Sequence, residues 1–354
     1  MSRILFAWEL GANLGHLARD LPVARRLREQ GHDVAFAVKD VRVAEQILSP
    51  ARLPFVQAPV FMPGAPSRQA PASYSEILIG AGYGDVAGLS ARVHAWTALF
   101  AMHGTQTLVV NHAPTALLAA RAMGLPAVLT CIGFELPPAV SPLPNFRAWE
   151  SIAPERLRQA DAVVLDSLNT ILAGHGREPM RRVADLFSGV AAVLTTFPEL
   201  DHYGARTDAV YVGPLSSVSE ATAFPWPQAR LHILTRPVAL DTTLKGADLA
   251  VVYGTGTMTD ALMAGVPQVM TPQVVEQLLV AQRIAAIGGG MLWSPPRSRE
   301  SAAALLRAAL CDTSLKPHAE RFAARYREYS PKRALTAITD MINAAGASRA
   351  TPAA

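Results

Sequence analysis

The chain has 354 residues, half of them hydrophobic and 17% charged, with a net charge of +4. That is enough apolar material for two domains of ordinary size and too little charge for a disordered chain. The small basic excess is densest at Arg25-Arg26-Arg28 and has no aromatic interleaving, so it reads as a solvated helix face and excludes a nucleic-acid partner. Cys131 and Cys311 form neither a disulfide framework nor a metal pattern and suit a reducing compartment. The first residues, MSRILFAWELG, lack a basic segment followed by an apolar one and a cleavage site, and no run reaches ~18 apolar residues. A soluble, cytoplasmic protein is expected, with at most a weak peripheral attraction to anionic lipid.

In chain order, the apolar run Ile4 to Trp8 predicts a strand that leads into the turn Gly11 to His16. Leu17, Leu21, Ala24 and Leu27 then recur at helical spacing until Gly31. Strands are predicted at Asp33–Val38, Phe55–Val56, Thr107–Val110, Ala127–Thr130, Ala162–Leu165 and Ala192–Thr195, with a Pro-rich loop over 58–71. Leu89, Val93, Trp96 and Phe100 make a helical stripe read as core packing. Beyond Val212-Gly213-Pro214-Leu215, a loop-like stretch leads to a strand at Leu231–Thr235. Leu249–Val252, Val266–Thr271 and Met291–Trp293 are the last predicted strands, followed by helix from Pro317 to Ala345. Strand–helix alternation of this kind predicts an α/β protein with parallel, doubly wound sheets.

The segment 249–283 carries the densest candidate chemistry. Gly254-Thr255-Gly256-Thr257 follows a strand and opens a helix, so backbone can approach a ligand closely and unpaired N–H groups can meet a phosphate. Asp260 lies one turn into that helix, where its carboxylate can accept from ribose hydroxyls, and Glu276-Gln277 open the next helix with side chains suited to sugar hydroxyls. The nine histidines form no metal-binding spacing, so no metal is expected, and no Gly-x-Ser-x-Gly turn supports a serine nucleophile.

These residues resemble the GT-B-fold glycosyltransferases that use nucleoside diphosphate sugars, in particular the family 1 group acting on flavonoids, macrolides and glycolipids. Gly256-Thr257, Asp260-Ala261-Leu262, Gly265-Val266-Pro267, Glu276-Gln277 and Ala281-Gln282-Arg283 fall into that family's frame. The resemblance implies two facing Rossmann-like domains: 1–213 on the acceptor side, 214–330 on the donor side, a helix end over 331–345 crossing back, and a tail over 346–354. It places the nucleotide base near Arg236 and Val238, the diphosphate at Gly254, Thr255, Gly256 and Thr257, the ribose at Asp260 and the hexose at Glu276 and Gln277.

His16 falls where family members carry the base that deprotonates an acceptor hydroxyl, and its ordinary pKa near 6.5 suits that task. The family's orienting Asp is replaced by Asn111-His112, with Glu9 as a further candidate partner. Two other departures stand out. Tyr253-Gly254-Thr255 replaces the family's phosphate-contacting His, and the stretch from Pro214 to Leu231 is too short for two βα units that the family carries there, on the order of sixty residues.

The implied reaction is hexose transfer from a nucleoside diphosphate sugar, expected to be a UDP-sugar, to a small-molecule or lipid hydroxyl, with inversion, without metal and without a cofactor. A shortened donor half with an exposed sheet edge would favour a homodimer. The rival readings are a sugar-nucleotide epimerase or lipid-disaccharide synthase of the same fold, and a non-catalytic nucleotide-binding relative.

Overall fold

The structure is a computed structural model describing residues 1–11, 14–62, 69–215, 240–244, 246–294 and 298–347. It divides into two compact units, one of Met1–Thr195, Arg206–Val212 and Ala334–Ala354, the other of Thr196–Ala205 and Gly213–Arg333. Thr196–Ala205, assigned to the first domain from sequence, therefore groups with the second.

The first unit is built on strands β1 (Arg3–Trp8), β2 (Asp33–Val38), β3 (Phe55–Gln57), β4 (Thr107–Val110), β5 (Ala127–Cys131) and β6 (Ala191–Leu194). Its helices are α1 (Gly15–Glu29), α2 (Val41–Ile47), α3 (Tyr74–Leu78), α4 (Val86–His103), α5 (Pro114–Met123) and α6 (Pro154–Gly174). The six strands form one parallel sheet in the order β3-β2-β1-β4-β5-β6. Buried on both faces, the central strands read as unbroken apolar runs: every residue of β1 after Arg3 is buried, as is all of β4.

Strand order reverses between β1 and β4, and in such sheets the crevice outside the carboxyl ends at that point is where ligands bind. Ala7 of β1 is in register with Val110 of β4. The chain leaving Trp8 and the chain leaving Val110 therefore emerge side by side, and they carry the candidate residues Glu9, Asn111 and His112.

The helices form for local reasons. Asp40 caps α2, Ser73 caps α3 and Asp85 caps α4, each accepting from backbone N–H groups of the first turn. Pro114 opens α5, where a missing N–H costs nothing, and Gly104 and Gly124 end α4 and α5 in the left-handed conformation. Leu89, Val93, Trp96 and Phe100 are all buried, as a core-facing stripe should be.

One predicted strand is wrong. Ala162–Leu165 lies inside α6, where Leu157, Ala160, Asp161, Val164, Leu168 and Ile171 are buried at helical spacing while Val163 is exposed. The short apolar run is a crossing of the helix's buried stripe, and its local β-branched character yields to packing on the sheet.

In the second unit, α7 (Leu240–Thr243), α8 (Thr255–Met263), α9 (Val275–Ala286), α10 (Arg299–Cys311) and α11 (Leu315–Arg325) accompany β7 (Ala250–Val252), β8 (Gln268–Met270) and β9 (Gly290–Leu292). Within the described residues these three strands form a parallel sheet in the order β7-β8-β9, with no strand ahead of β7 paired to it. The predicted strand Leu231–Thr235 lies outside the described residues, as does the middle of the Pro-rich loop, 63–68. Met258, Leu262, Val266, Met270, Ile284 and Phe322 form the core, joined by Phe197 from the short segment after β6. Gly290 packs against its neighbour strand so closely that a Cβ would lie 2.3 Å from the Gln268 carbonyl oxygen.

The helix predicted from Pro317 to Ala345 is broken in two. Between α11 and α12 (Pro331–Ala347) the chain turns, because Pro331 disfavours helical backbone in the residue before it while suiting the first helical position. From Ala334 onward α12 groups with the first unit, where Asn343 Nδ2 donates to Gln30 Oε1 at 3.2 Å. Helix continues to Ala347, so the predicted tail begins later than 346, and 348–354 lie outside the described residues.

Candidate active site

His16, Arg19 and Asp20 stand at i, i+3 and i+4 of α1 and so share one face of the helix. That face turns inward toward the end of β4, and all three side chains are buried although each is ionisable. Burial is tolerated because they converge on one amide, that of Asn111, which is itself wholly buried. Asn111 Nδ2 donates to the His16 carbonyl oxygen at 3.0 Å and to Asp20 Oδ2 at 2.7 Å. Its Oδ1 lies 2.8 Å from His16 Nδ1 and accepts from the Arg19 guanidinium.

This pattern determines the His16 tautomer. A carbonyl and a carboxylate accept from one end of the amide and a guanidinium donates to the other, so the amide cannot be flipped. The His16 nitrogen against Oδ1 must therefore carry the proton, and Nδ1–H donates to Asn111. In the neutral ring Nε2 is then the basic nitrogen, and it has no protein hydrogen-bond partner among the described residues. Gly11, with φ +81°, faces this nitrogen closely: a Cβ there would lie 2.4 Å from it. Only a residue without a side chain leaves the imidazole edge clear.

Burial, followed by the Arg19 charge and His112, pushes the His16 pKa down to about 3, so the ring is neutral near pH 7. Burial pushes the Asp20 carboxyl the other way, to about 6, against the opposing pull of Arg19 and the Asn111 amide. Glu135 completes the cluster: its Oε2 accepts from the Ile132 N–H at 2.9 Å and its Oε1 lies 3.7 Å from Arg19.

Of the two residues at the position of the resembling family's Asp, Asn111 bonds His16 and His112 does not. His112 is buried in the left-handed conformation (φ +49°), its carbonyl accepting from the Leu10 N–H at 2.9 Å. Its ring stands 6.0 Å from that of His16, neither ring nitrogen has a protein partner among the described residues, and burial drives its pKa down to about 3. Glu9 is not the partner of His16 either. It accepts from Trp96 Nε1 at 3.0 Å and from the Thr115 N–H at 2.5 Å, which places its carboxylate at the N-terminus of α5. Burial raises its pKa to about 7.

In the second unit, Val252 of β7 is in register with Met270 of β8. The segments that leave these strands, Gly254–Thr257 and 271–277, therefore share one edge of the sheet. Gly254 is the N-cap of α8, Thr255, Gly256 and Thr257 form its first turn, and no acidic residue there offsets the positive end of the helix dipole. Asp260 is half-buried on the same helix, and its charge adds to burial in pushing up the Tyr329 pKa. Glu276 is half-buried at the start of α9. Gln277 is buried there, its Oε1 accepting from the Gln273 N–H at 2.8 Å. Arg236 and Val238 lie outside the described residues. Among the described residues no group of three or more His, Cys, Asp or Glu side chains could hold a metal, and no helix is long and apolar enough to cross a membrane.

Sequence reasoning missed Arg19, Asp20 and Glu135. The spacing of Arg19 and Asp20 from His16 was a usable signal for the first two, because charged residues on the apolar face of a predicted core helix need buried partners. Glu135 follows β5 in a loop and has no such signature.

No protein-family model matches this chain, and no curated protein does. Solved structures do. The SsfS6 glycosyltransferase of Streptomyces sp. SF2575 is 18% identical with a TM-score of 0.65, over 96% of this chain and 99% of that one. VinC, a glycosyltransferase solved in complex with DTDP, is 17% identical with a TM-score of 0.63, over 97% and 99%. CalG4, the calicheamicin glycosyltransferase, is 16% identical with a TM-score of 0.66, over 97% and 98%. SsfS6 has also been solved with thymidine diphosphate. Identities this low establish the fold, which is the α/β GT-B fold of glycosyltransferases.

Proposed function

We propose that the protein transfers a sugar from a nucleoside diphosphate sugar to a hydroxyl group of a small-molecule or lipid acceptor, with inversion at the anomeric carbon. The observation that carries this reading is the state of His16: a neutral imidazole held by Asn111 in the Nδ1–H tautomer, its basic Nε2 facing a glycine at the point where strand order reverses. A base that must take a proton from a hydroxyl needs this tautomer and this open edge. The GT-B fold supports the same reaction class.

In the proposed step the acceptor hydroxyl gives its proton to His16 Nε2 as its oxygen bonds to the anomeric carbon, and the nucleoside diphosphate leaves with the electron pair of the broken C–O bond. The N–H groups of Thr255, Gly256 and Thr257 at the start of α8 stabilise the departing diphosphate, so the reading needs no metal. Asp260 holds the ribose, Glu276 and Gln277 the sugar, and Arg236 and Val238 the base. The expectation of uridine is widened to uridine or thymidine, since the nucleotide bound to VinC and to SsfS6 is thymidine diphosphate.

The test is mass spectrometry of the purified protein incubated with UDP- and TDP-sugars and a panel of hydroxylated acceptors. Acceptor-dependent products heavier by one glycosyl unit are expected. A sugar nucleotide altered without any acceptor would identify an epimerase instead, and nucleotide binding without any product a non-catalytic relative.

A further inference from the structure

Asn111 stands between His16 and a carboxylate, and an amide in that position is not a passive spacer. Its Oδ1 holds the His16 Nδ1 proton while its Nδ2 donates to Asp20 Oδ2 at 2.7 Å. We propose that Asp20 is a positioning residue for the reaction, acting on His16 through the Asn111 amide in a His16–Asn111–Asp20 relay. This inference rests on the reading of His16 as the acceptor base.

Two physical effects connect Asp20 to the imidazole. The first is orientation. With a carboxylate and the His16 carbonyl oxygen both accepting from Nδ2, the amide has one allowed orientation, and that orientation makes Nε2 the basic nitrogen. The second is charge. Arg19 donates to the same Oδ1 that accepts from His16, which weakens that oxygen as a partner for an imidazolium. A carboxylate accepting from Nδ2 raises the electron density on Oδ1 through the amide, and its negative charge offsets that of Arg19.

The charges of the cluster lead to the same conclusion. Arg19 and Glu135 oppose one another as a buried ion pair, 3.7 Å apart, and His112 carries no proton acceptor or donor link to His16. When His16 takes the acceptor proton, a second positive charge appears in the buried site, and the anionic Asp20 is the group hydrogen-bonded into the same amide that can compensate it. The hydroxyl proton ends on Nε2, the Nδ1 proton stays on Nδ1, and Asp20 receives none. The function met elsewhere by a carboxylate touching the imidazole is here divided between an amide that touches it and a carboxylate one hydrogen bond behind, four residues along the same helix.

The test has two arms on the full-length protein. With 15N-histidine labelling, His16 is assigned by the signal lost in His16→Ala, and its ring is expected as the neutral Nδ1–H tautomer with a far-downfield proton that moves upfield in Asp20→Asn. In steady-state kinetics, Asp20→Asn is expected to lower kcat about tenfold or more, the range found for groups one contact behind a reacting one, while both KM values stay within about twofold. The exchange variant Asn111→Asp/Asp20→Asn, which restores a direct carboxylate–imidazole contact, is expected to regain at least fivefold over Asp20→Asn. A merely structural Asp20 would not produce that rescue. An Nε2–H tautomer in the parent protein, an unmoved Nδ1 proton in Asp20→Asn, full kcat in that variant, or no gain in the exchange variant would overturn the relay. If the parent protein transfers no sugar, the glycosyltransferase reading fails, and the NMR arm alone decides the relay.

Discussion

His16 illustrates how completely environment sets the chemistry of one side chain. In water its ring would be half-protonated near pH 6.5; buried beside Arg19 it is neutral throughout the working range, its pKa held down to about 3. Its ring is therefore unprotonated at any ordinary pH but a weaker base than the ordinary value near 6.5 would make it, and it is charged only as the hydroxyl loses its proton. His16→Ala is expected to reduce glycosyl transfer by ~10²–10⁴, the usual worth of a general base, while nucleotide affinity stays within about threefold. Turnover close to the parent value would remove His16 from the chemistry. Asp260 acts on binding. If its carboxylate holds the ribose hydroxyls, Asp260→Ala should weaken nucleoside diphosphate binding by about 1–3 kcal/mol, as for hydrogen bonds to charged groups. Calorimetry returning equal affinities for the two proteins would exclude it.

At the scale of elements, the N-terminus of α5 carries a carboxylate in an apolar setting. Glu9 receives the Thr115 N–H and the Trp96 indole N–H, yet burial outweighs both bonds and raises its pKa from an ordinary 4.5 to about 7. A carboxyl whose pKa is raised by folding stabilises the fold below its unfolded pKa and loses that contribution as pH rises through its folded pKa, here between about 4.5 and 7. Glu9→Gln, which removes the titration but turns an amide NH2 toward one of the two donors, should show no fall in stability between pH 4.5 and 8, where the parent protein loses up to about 3 kcal/mol. Denaturant unfolding at a series of pH values checks this; a difference between the two proteins that does not change with pH would mean that Glu9 titrates normally. Tyr83 also faces this carboxylate, and burial pushes its phenol pKa up, so its charge does not change within the window.

For the whole molecule, the sheets of the two units differ in extent among the described residues. The first has six strands with its central ones buried on both faces. The described part of the second has three strands of three residues each, and the edge strand β7 exposes Val251 by 53% and is followed by Tyr253, exposed by 55%. Short edge strands with few buried contacts open more readily. Amide hydrogen exchange over 246–294 is therefore expected to be faster than over 1–130, and turnover slower than the ~10 s⁻¹ typical of enzymes. Uniform protection across both stretches would show that the second unit is as firmly built as the first.

The period of the apolar residues was sufficient to place the strands around the first sheet's switch point, the helix that follows the first of them, and the Gly-rich turn that opens α8, because these follow from local backbone chemistry. Ala162–Leu165 was misread because a four-residue apolar run is the same in a strand and in a buried helix stripe, and only packing against the sheet separates the two. The position of His16 was likewise legible in the order of strand, turn and helix. Its partner was narrowed to Asn111, His112 or Glu9, and the sequence did not choose among them. Asn111 is 95 residues away in sequence, and its bond to His16, the flip-proof orientation conferred by Asp20 and Arg19, and the diversion of Glu9 to α5 all arise where separate strands end side by side. Side-chain type and spacing are properties of the chain, whereas protonation state, tautomer and pKa depend on which groups are buried together, and that is decided only when the sheet is assembled.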